Sequence, residues 1–293
     1  MYKKIIATAS LVFISSLSLA GGIDVNPDMG KPGQPARVPK AEEFKVCADQ
    51  DNLPYSNSAG EGFENKIAEV LAADLGKELS YQFWHDRFGF LRNTLNAYRC
   101  DVVIGTNTTY DAVNTTKPYY RAGHVWVYRK DSGYDIKDWS SPDLRKGTIG
   151  VNDKSPVAVA LNANGLMFNA KPYRIQRDLN TSPGAKIDDL IKGDIDIAIE
   201  WGPIGGYYAK KADGELVVVQ IPEYAKDEML LTGKTYWNIS AGVRKKDSER
   251  RDIIEAAIDR NIDKIYAIMD EYGIPFQKPS FEDRLDGYKR HKK

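Results

Sequence analysis

The side chains able to do chemistry are scattered along this chain. Three histidines, His85, His124 and His291, are far apart, and none belongs to a metal-binding spacing such as His-Glu-x-x-His. There is no Gly-x-Ser-x-Gly elbow and no glycine-rich phosphate loop running into Lys-Ser/Thr. An enzyme would have to use Asp49 or Glu200 as its general acid or base. No acidic run has the spacing of a calcium loop, and no cofactor is expected. What stands out instead is binding chemistry: four polar, partly aromatic segments. These are Asp49–Asn57 (with Asn52 and Tyr55), Thr106–Tyr110 (with Asn107), Asn152–Pro156 (with Ser155), and Glu200-Trp201-Gly202-Pro203. Asn, Asp, Ser and Pro also build ordinary turns, so each segment alone has a plain structural reading. As a set they suggest a cleft.

Each segment follows an apolar run that reads as a strand. Phe44–Ala48 precedes the first, Val102–Ile104 the second, Thr148–Val151 the third and Asp196–Ile199 the fourth. Ligands of open α/β sheets sit at the carboxyl ends of strands, which is where all four segments fall. Between the strands lie helical periods. Ile67, Val70, Leu71 and Leu75 mark a helix over Glu64–Leu75 that stops at Gly76, followed by a strand over Leu79–Trp84 and a helix over Phe90–Ala97. Further on come helices at Pro156–Asn162, Asp188–Lys192 and Gly205–Ala212, with strands at Tyr173–Ile175 and Leu216–Gln220. One stretch is echoed: Leu95–Gly105 and Leu190–Glu200 each read as helix end, turn, Asp, then buried strand. The two aspartates are 95 residues apart, about the length of a small α/β lobe. His124–Arg129 and Asn238–Val243 have strand character and read as two crossings between lobes. The C-terminal segment Ser248–Tyr272 reads as one amphipathic helix, with Ile253, Ile254, Ala257, Ile258, Ile262, Ile265 and Ile268 on one face. The expected fold is therefore α/β, two lobes around a central cleft. Residues 44–127 and 240–293 form a discontinuous first lobe and 128–239 the second.

The start of the chain places it outside the cytoplasm. A short basic start, an apolar stretch to Leu19 and a small-residue cleavage site ending at Ala20 make residues 1–20 a secretory signal peptide, shorter than a membrane span needs. Residues 21–43, rich in Gly, Pro and charge, read as a flexible leader. The 41 basic and 41 acidic residues cancel, so no global field points to nucleic acid or membrane. Cys47 lies within the strand Phe44–Ala48 and Cys100 opens the strand Asp101–Gly105; these strands are expected to be neighbours, and an oxidising compartment favours a disulfide between them, with two buried thiols the alternative.

The pattern resembles the periplasmic solute-binding proteins of the amino-acid-binding family, which have the type II periplasmic binding fold. Within it, Asp49–Asn57, Gly60-Glu61-Gly62-Phe63-Glu64-Asn65-Lys66-Ile67-Ala68 and Arg92–Gly105 resemble more specifically the MxaJ/XoxJ-type proteins of methanol dehydrogenase systems. Thr116–Arg121 and Ile199–Pro203 agree with that resemblance, which runs from about Phe44 to Gln277. It implies a periplasmic accessory protein without catalysis, whose partners are a quinoprotein (PQQ) methanol dehydrogenase and its cytochrome. PQQ, calcium or a lanthanide would belong to that partner.

Departures from the amino-acid binders sharpen the expectation. Such binders clamp the ligand carboxylate with an Arg after the third strand of the first lobe, a task suited to a bidentate guanidinium. Thr106–Val113 contains no Arg or Lys. The Asp that meets the ligand ammonium is replaced by Trp201, with Glu200 one residue off. A zwitterion would lose hydration here without matched charges in return. The remaining candidates for a lining are aromatic: Tyr55, Trp84, Phe88, Phe90 and Trp201. A transport receptor for a small polar solute other than an ordinary amino acid is the alternative reading.

Overall fold

The computed structural model describes residues 40–86, 89–174, 181–223 and 234–283. The expected signal peptide, the leader up to residue 39, Phe88 and His291 lie outside the described residues.

The chain enters strand β1 (Glu43–Ala48) with Phe44, Val46 and Ala48 on one face and Cys47 on the other. That period of two splits the strand between two apolar clusters. A small antiparallel pair, β2 (Asp51–Asn52) and β3 (Ser56–Asn57), leads to helix α1 (Phe63–Asp74). The Asn65 side chain, which accepts from the Gly62 N–H at 3.0 Å and the Asn57 N–H at 3.0 Å, fixes its start. Phe63, Ile67, Ala68, Leu71 and Ala72 recur at helical spacing and are all buried. Each large side chain so buried contributes about 1.5–3 kcal/mol. Gly76, at φ +62°, turns the chain into β4 (Glu78–Phe83), parallel to β1.

Helix α2 is only Phe90–Asn93, not the longer helix expected to Ala97. The Thr94 hydroxyl donates back to the Phe90 carbonyl, and Tyr98 at φ +57° reverses the chain just before Cys100. Cys47 and Cys100 form a disulfide with Cα atoms 5.4 Å apart, inside a cluster with Phe90, Leu95, Val103 and Val113. Strand β5 (Val103–Asn107) follows, then a two-residue β6 (Asn114–Thr115).

Strand β7 (Tyr120–Arg129) is the long element of the fold. Its first residues, Tyr120 and Ala122, belong to the core built on β1, α1 and the C-terminal helices. Its last residues divide between two clusters, Val125 and Val127 on one face and Trp126 and Tyr128 on the other. Around that second half lie β8 (Ile149–Asn152), α3 (Pro156–Ala163), β9 (Ala170–Tyr173), α4 (Ala185–Lys192), β10 (Ile197–Trp201), α5 (Gly202–Lys211) and β11 (Leu216–Gln220). β8 is parallel to β9 and β10; β7 runs antiparallel to both β10 and β11. This gives a sheet covered by α3 on one face and by α4 and α5 on the other, a layered α/β arrangement. The segment expected as strand Tyr173–Ile175 is instead Ala170–Tyr173, and α5 starts three residues before expectation.

Strand β12 (Tyr236–Val243) returns antiparallel to β7 at Tyr236–Ile239 and to β5 at Ile239–Gly242. Tyr120–Arg129 and Tyr236–Val243 thus link the two groups of clusters. The expected single C-terminal helix is two, α6 (Ser248–Arg260) and α7 (Ile262–Glu271). Asn261 breaks them apart: its amide donates to the Ala257 carbonyl (2.9 Å) and to Asp74 Oδ1 on α1 (2.8 Å). Both pack on α1, with Ile254, Ala257, Ile258 and Ile265 buried in the same core.

Candidate functional site

The four polar segments do fall at the carboxyl ends of β1, β5, β8 and β10, but most of their polar atoms serve the backbone. Asp49 Oδ1 accepts from the Asp51 N–H (3.0 Å) and Oδ2 from the Asp86 N–H (2.6 Å), tying the ends of β1 and β4 together. His85 Nδ1 lies 3.6 Å from the same carboxylate. Asn52 pairs with Ser56 in the small hairpin, and the Tyr55 ring leans on Phe63 with centroids 5.4 Å apart. Asn107 Oδ1 accepts from the Thr109 N–H and hydroxyl, both at 3.0 Å, while Thr106 pairs with Ser240 of β12. The Ser155 hydroxyl donates to the Asn152 carbonyl at 2.6 Å. These are turn-forming bonds. Trp84 packs against the disulfide cluster that also holds Phe90.

Glu200 and Trp201 part company because neighbours on a strand face opposite ways. Glu200 points toward α4 and is almost fully buried, with Oε2 3.0 Å from Lys186 Nζ and Oε1 accepting from the Trp201 N–H at 2.8 Å. Lys186, itself 3 % exposed, also donates to the Ile199 carbonyl at 2.8 Å. The carboxylate closest to the missing ammonium anchor therefore already holds an ammonium from its own chain. Breaking such a pair by removing one partner costs about 3–5 kcal/mol, since it strands a buried charge.

Trp201 faces the junction of the linking strands. It meets His124 of β7 directly across the sheet, and Trp237 of β12 completes a triangle. The ring centroids are 5.4 Å (His124–Trp201), 5.7 Å (His124–Trp237) and 5.5 Å (Trp201–Trp237), all edge-to-face. Burial, with the Lys186 charge nearby, pushes the His124 imidazole down to about 4, so the ring is neutral at physiological pH. His124 and Trp237 do not stand out in the sequence as binding residues, because His124 opens one segment that reads as a crossing and Trp237 directly precedes the other.

A second group invisible to spacing is Glu64. It is the second residue of α1, and its carboxyl lies against Gly105 of β5, where a Cβ would stand 2.0 Å from Oε1. Burial, reinforced by the Asp86 charge, pushes this carboxyl up to about 8.

The two groups of clusters also touch directly through α5. Tyr207 stacks on Tyr272 at 6.0 Å and 16°, and Lys210 Nζ donates to the Glu271 carbonyl. Gly206 sits so close to Gly273 that a Cβ would be 2.2 Å from its carbonyl oxygen. Among the described residues there is no group of three or more His, Cys, Asp or Glu placed to hold a metal ion, and no helix long and apolar enough to cross a membrane.

Comparison with known proteins agrees with this architecture. Residues 44–274 match the family described as bacterial extracellular solute-binding proteins, family 3. Protein MoxJ of Methylorubrum extorquens is 28 % identical over 282 residues, covering 92 % of each chain. The crystal structure of MxaJ from Methlophaga aminisulfidivorans MPT has a TM-score of 0.70 at 30 % identity, covering 80 % of this chain and 100 % of that one. The crystal structure of periplasmic binding protein XoxJ from Methylobacterium extorquens AM1 gives 0.66 at 30 % identity, with the same coverage. The chain belongs to the bacterial extracellular solute-binding proteins of family 3, and within them it resembles the MxaJ/XoxJ-type members.

Proposed function

We propose that this protein is a non-catalytic periplasmic accessory factor that binds a PQQ-dependent methanol or alcohol dehydrogenase and assists its activation, maturation or assembly. The observation that carries the reading is the loss of both charge anchors from an amino-acid-binder scaffold. Thr106–Val113 holds no cation, and Glu200 is neutralised by Lys186. The scaffold is kept while the chemistry of amino-acid capture is not, which suits a protein that recognises a partner. The likeness to MoxJ, MxaJ and XoxJ supports the choice of partner. Export by a signal peptide over residues 1–20, and lobes of 44–127 with 240–293 and of 128–239, belong to the same proposal. The two groups of apolar clusters support that division.

The test is co-isolation of the mature, tagged protein from periplasmic extract, with retained proteins identified by mass spectrometry. A quinoprotein dehydrogenase subunit, or its cytochrome, should be recovered in stoichiometric amount. Recovery of a membrane permease instead, with a raised melting temperature on adding a polar solute, would favour a transport receptor.

A further inference from the structure

The start of the described chain borders a pocket. It measures about 240 Å³ and lies between β1, the turn from α1 into β4, and the first turns of α6. Phe44 and Ile254, 2 % and 1 % exposed, are its buried lining. Leu75 and Ile253 are its more open lining, and Ile253 stays 47 % exposed although the sequence puts it on the apolar face of its helix. A lone isoleucine at a surface is ordinary, but here it continues an apolar lining that reaches down to buried side chains. Sites for whole small molecules usually run to about 300–1,000 Å³, so this smaller volume suits a side chain or two of a polypeptide.

Which polypeptide follows from where the chain enters the fold. Lys77, at the rim, donates to the Ala41 carbonyl at 2.8 Å, and the Glu43 N–H donates to the Lys40 carbonyl at 3.2 Å. Residues 40–43 therefore turn beside the pocket, and the segment 21–39 joins the fold at its edge. Val38 is the nearest branched apolar residue upstream of Phe44, and three residues of chain let its Cα lie up to about 10 Å from that of Ala41. The following Pro39 favours an extended Val38, the conformation with the longest reach. Charge agrees with this choice. Glu249, also at the rim, has no ion-pair partner among the described residues, and Arg37 is the cation next to Val38.

We propose that residues 37–39 dock in this pocket, with the Val38 side chain against Leu75 and Ile253 and the Arg37 guanidinium on Glu249. The contact fastens the entry of the chain to α6, the helix that shares a core with α1 and β1. The face between β1 and α6 is then occupied by the protein's own leader and is not a surface offered to a partner. This docking does not depend on which partner the protein binds, and its failure would leave the accessory reading untouched.

The mature protein, methyl-labelled at isoleucine δ1 and valine, tests this by NMR. A nuclear Overhauser contact between Val38 and Ile253 is expected, unchanged on dilution. Trypsin then reads how far docking shields the Arg37–Val38 bond, with the products identified by mass spectrometry. Ile253→Gln leaves the cleaved sequence intact and should speed cleavage there about tenfold, the equivalent of losing the burial of one valine. Glu249→Gln should speed it about twofold, as loss of a rim ion pair does. Absence of the Val38–Ile253 contact, equal cleavage rates in wild type and I253Q, or an Ile253 signal that moves with protein concentration, the mark of a second copy in the pocket, would overturn the proposal. The Overhauser measurement uses the unsubstituted protein, so it decides the matter even where I253Q fails to fold.

Discussion

Replacing Glu64 by Gln should stabilise the protein, by an amount that grows with pH. Its carboxyl lies against Gly105 with Asp86 as a like-charged neighbour, and its proton is held up to about 8 from a usual 4.5. Between those two values the folded state keeps a proton that the unfolded chain has lost. Stability therefore falls as pH rises through this window, and the loss is complete above about 8. At 1.36 kcal/mol per unit, the 8 − 4.5 = 3.5 units set a ceiling of about 5 kcal/mol. Glu64 is only half-buried, and solvent contact brings the expectation down to about 2–3 kcal/mol. His124, held near 4, acts oppositely between about pH 4 and 6.5, adding stability as pH rises. The wild-type curve alone therefore mixes two effects, and the difference between variant and wild type isolates Glu64. Urea unfolding of both proteins at pH 5, 7 and 9 should give a difference near zero at pH 5 that rises to about 2–3 kcal/mol in favour of E64Q at pH 9. A difference that is flat with pH, or that favours the wild type at pH 9, would refute the reasoning.

Three further outcomes follow from the packing. Lys186→Met should lower stability by about 3–5 kcal/mol in urea unfolding, because Glu200 keeps a buried charge; the double variant K186M/E200Q should recover most of the loss. Replacing both cysteines by Ala should cost about 4 kcal/mol by the chain-entropy estimate for a 53-residue separation, read as a lower urea midpoint that matches the reduced wild type. Gly206→Ala should lower the melting temperature, since its Cβ would stand 2.2 Å from the Gly273 carbonyl oxygen, a backbone atom without a rotamer to retreat to; Lys210→Ala, which removes only the nearby bond to Glu271, should cost less.

The alternation of strand and helix was legible because it is written in apolar periods. Ile67, Leu71 and Ala68 fix α1, and Ile197 to Ile199 fix β10, whatever else the chain does. The disulfide was legible for a related reason: two cysteines in strands expected side by side have few other fates outside the cytoplasm. Places where one side chain competes with the backbone were not legible. The break at Asn261 depends on Asp74, 187 residues away, and the early end of α2 depends on Thr94 bonding its own helix. Which polar residues bind is not legible for a similar cause. Whether Asn107 reaches a ligand or its own turn is set by tertiary position, and here it bonds Thr109. Glu200 stands out in the sequence as a lone acid at a strand end, yet its partner Lys186 sits on a helix whose sequence gives no sign of burying a lysine. His124 was read only as part of a crossing, because a lone histidine in an apolar strand carries no pattern.

We propose above that a solute-binding scaffold has exchanged amino-acid capture for a protein partner. The most direct measurement is isothermal titration of the purified mature protein with the purified quinoprotein dehydrogenase, beside the same titration with the common amino acids. Saturable heat is expected with the dehydrogenase and none with any amino acid. Saturable binding of an amino acid, with no heat from the dehydrogenase, would contradict it.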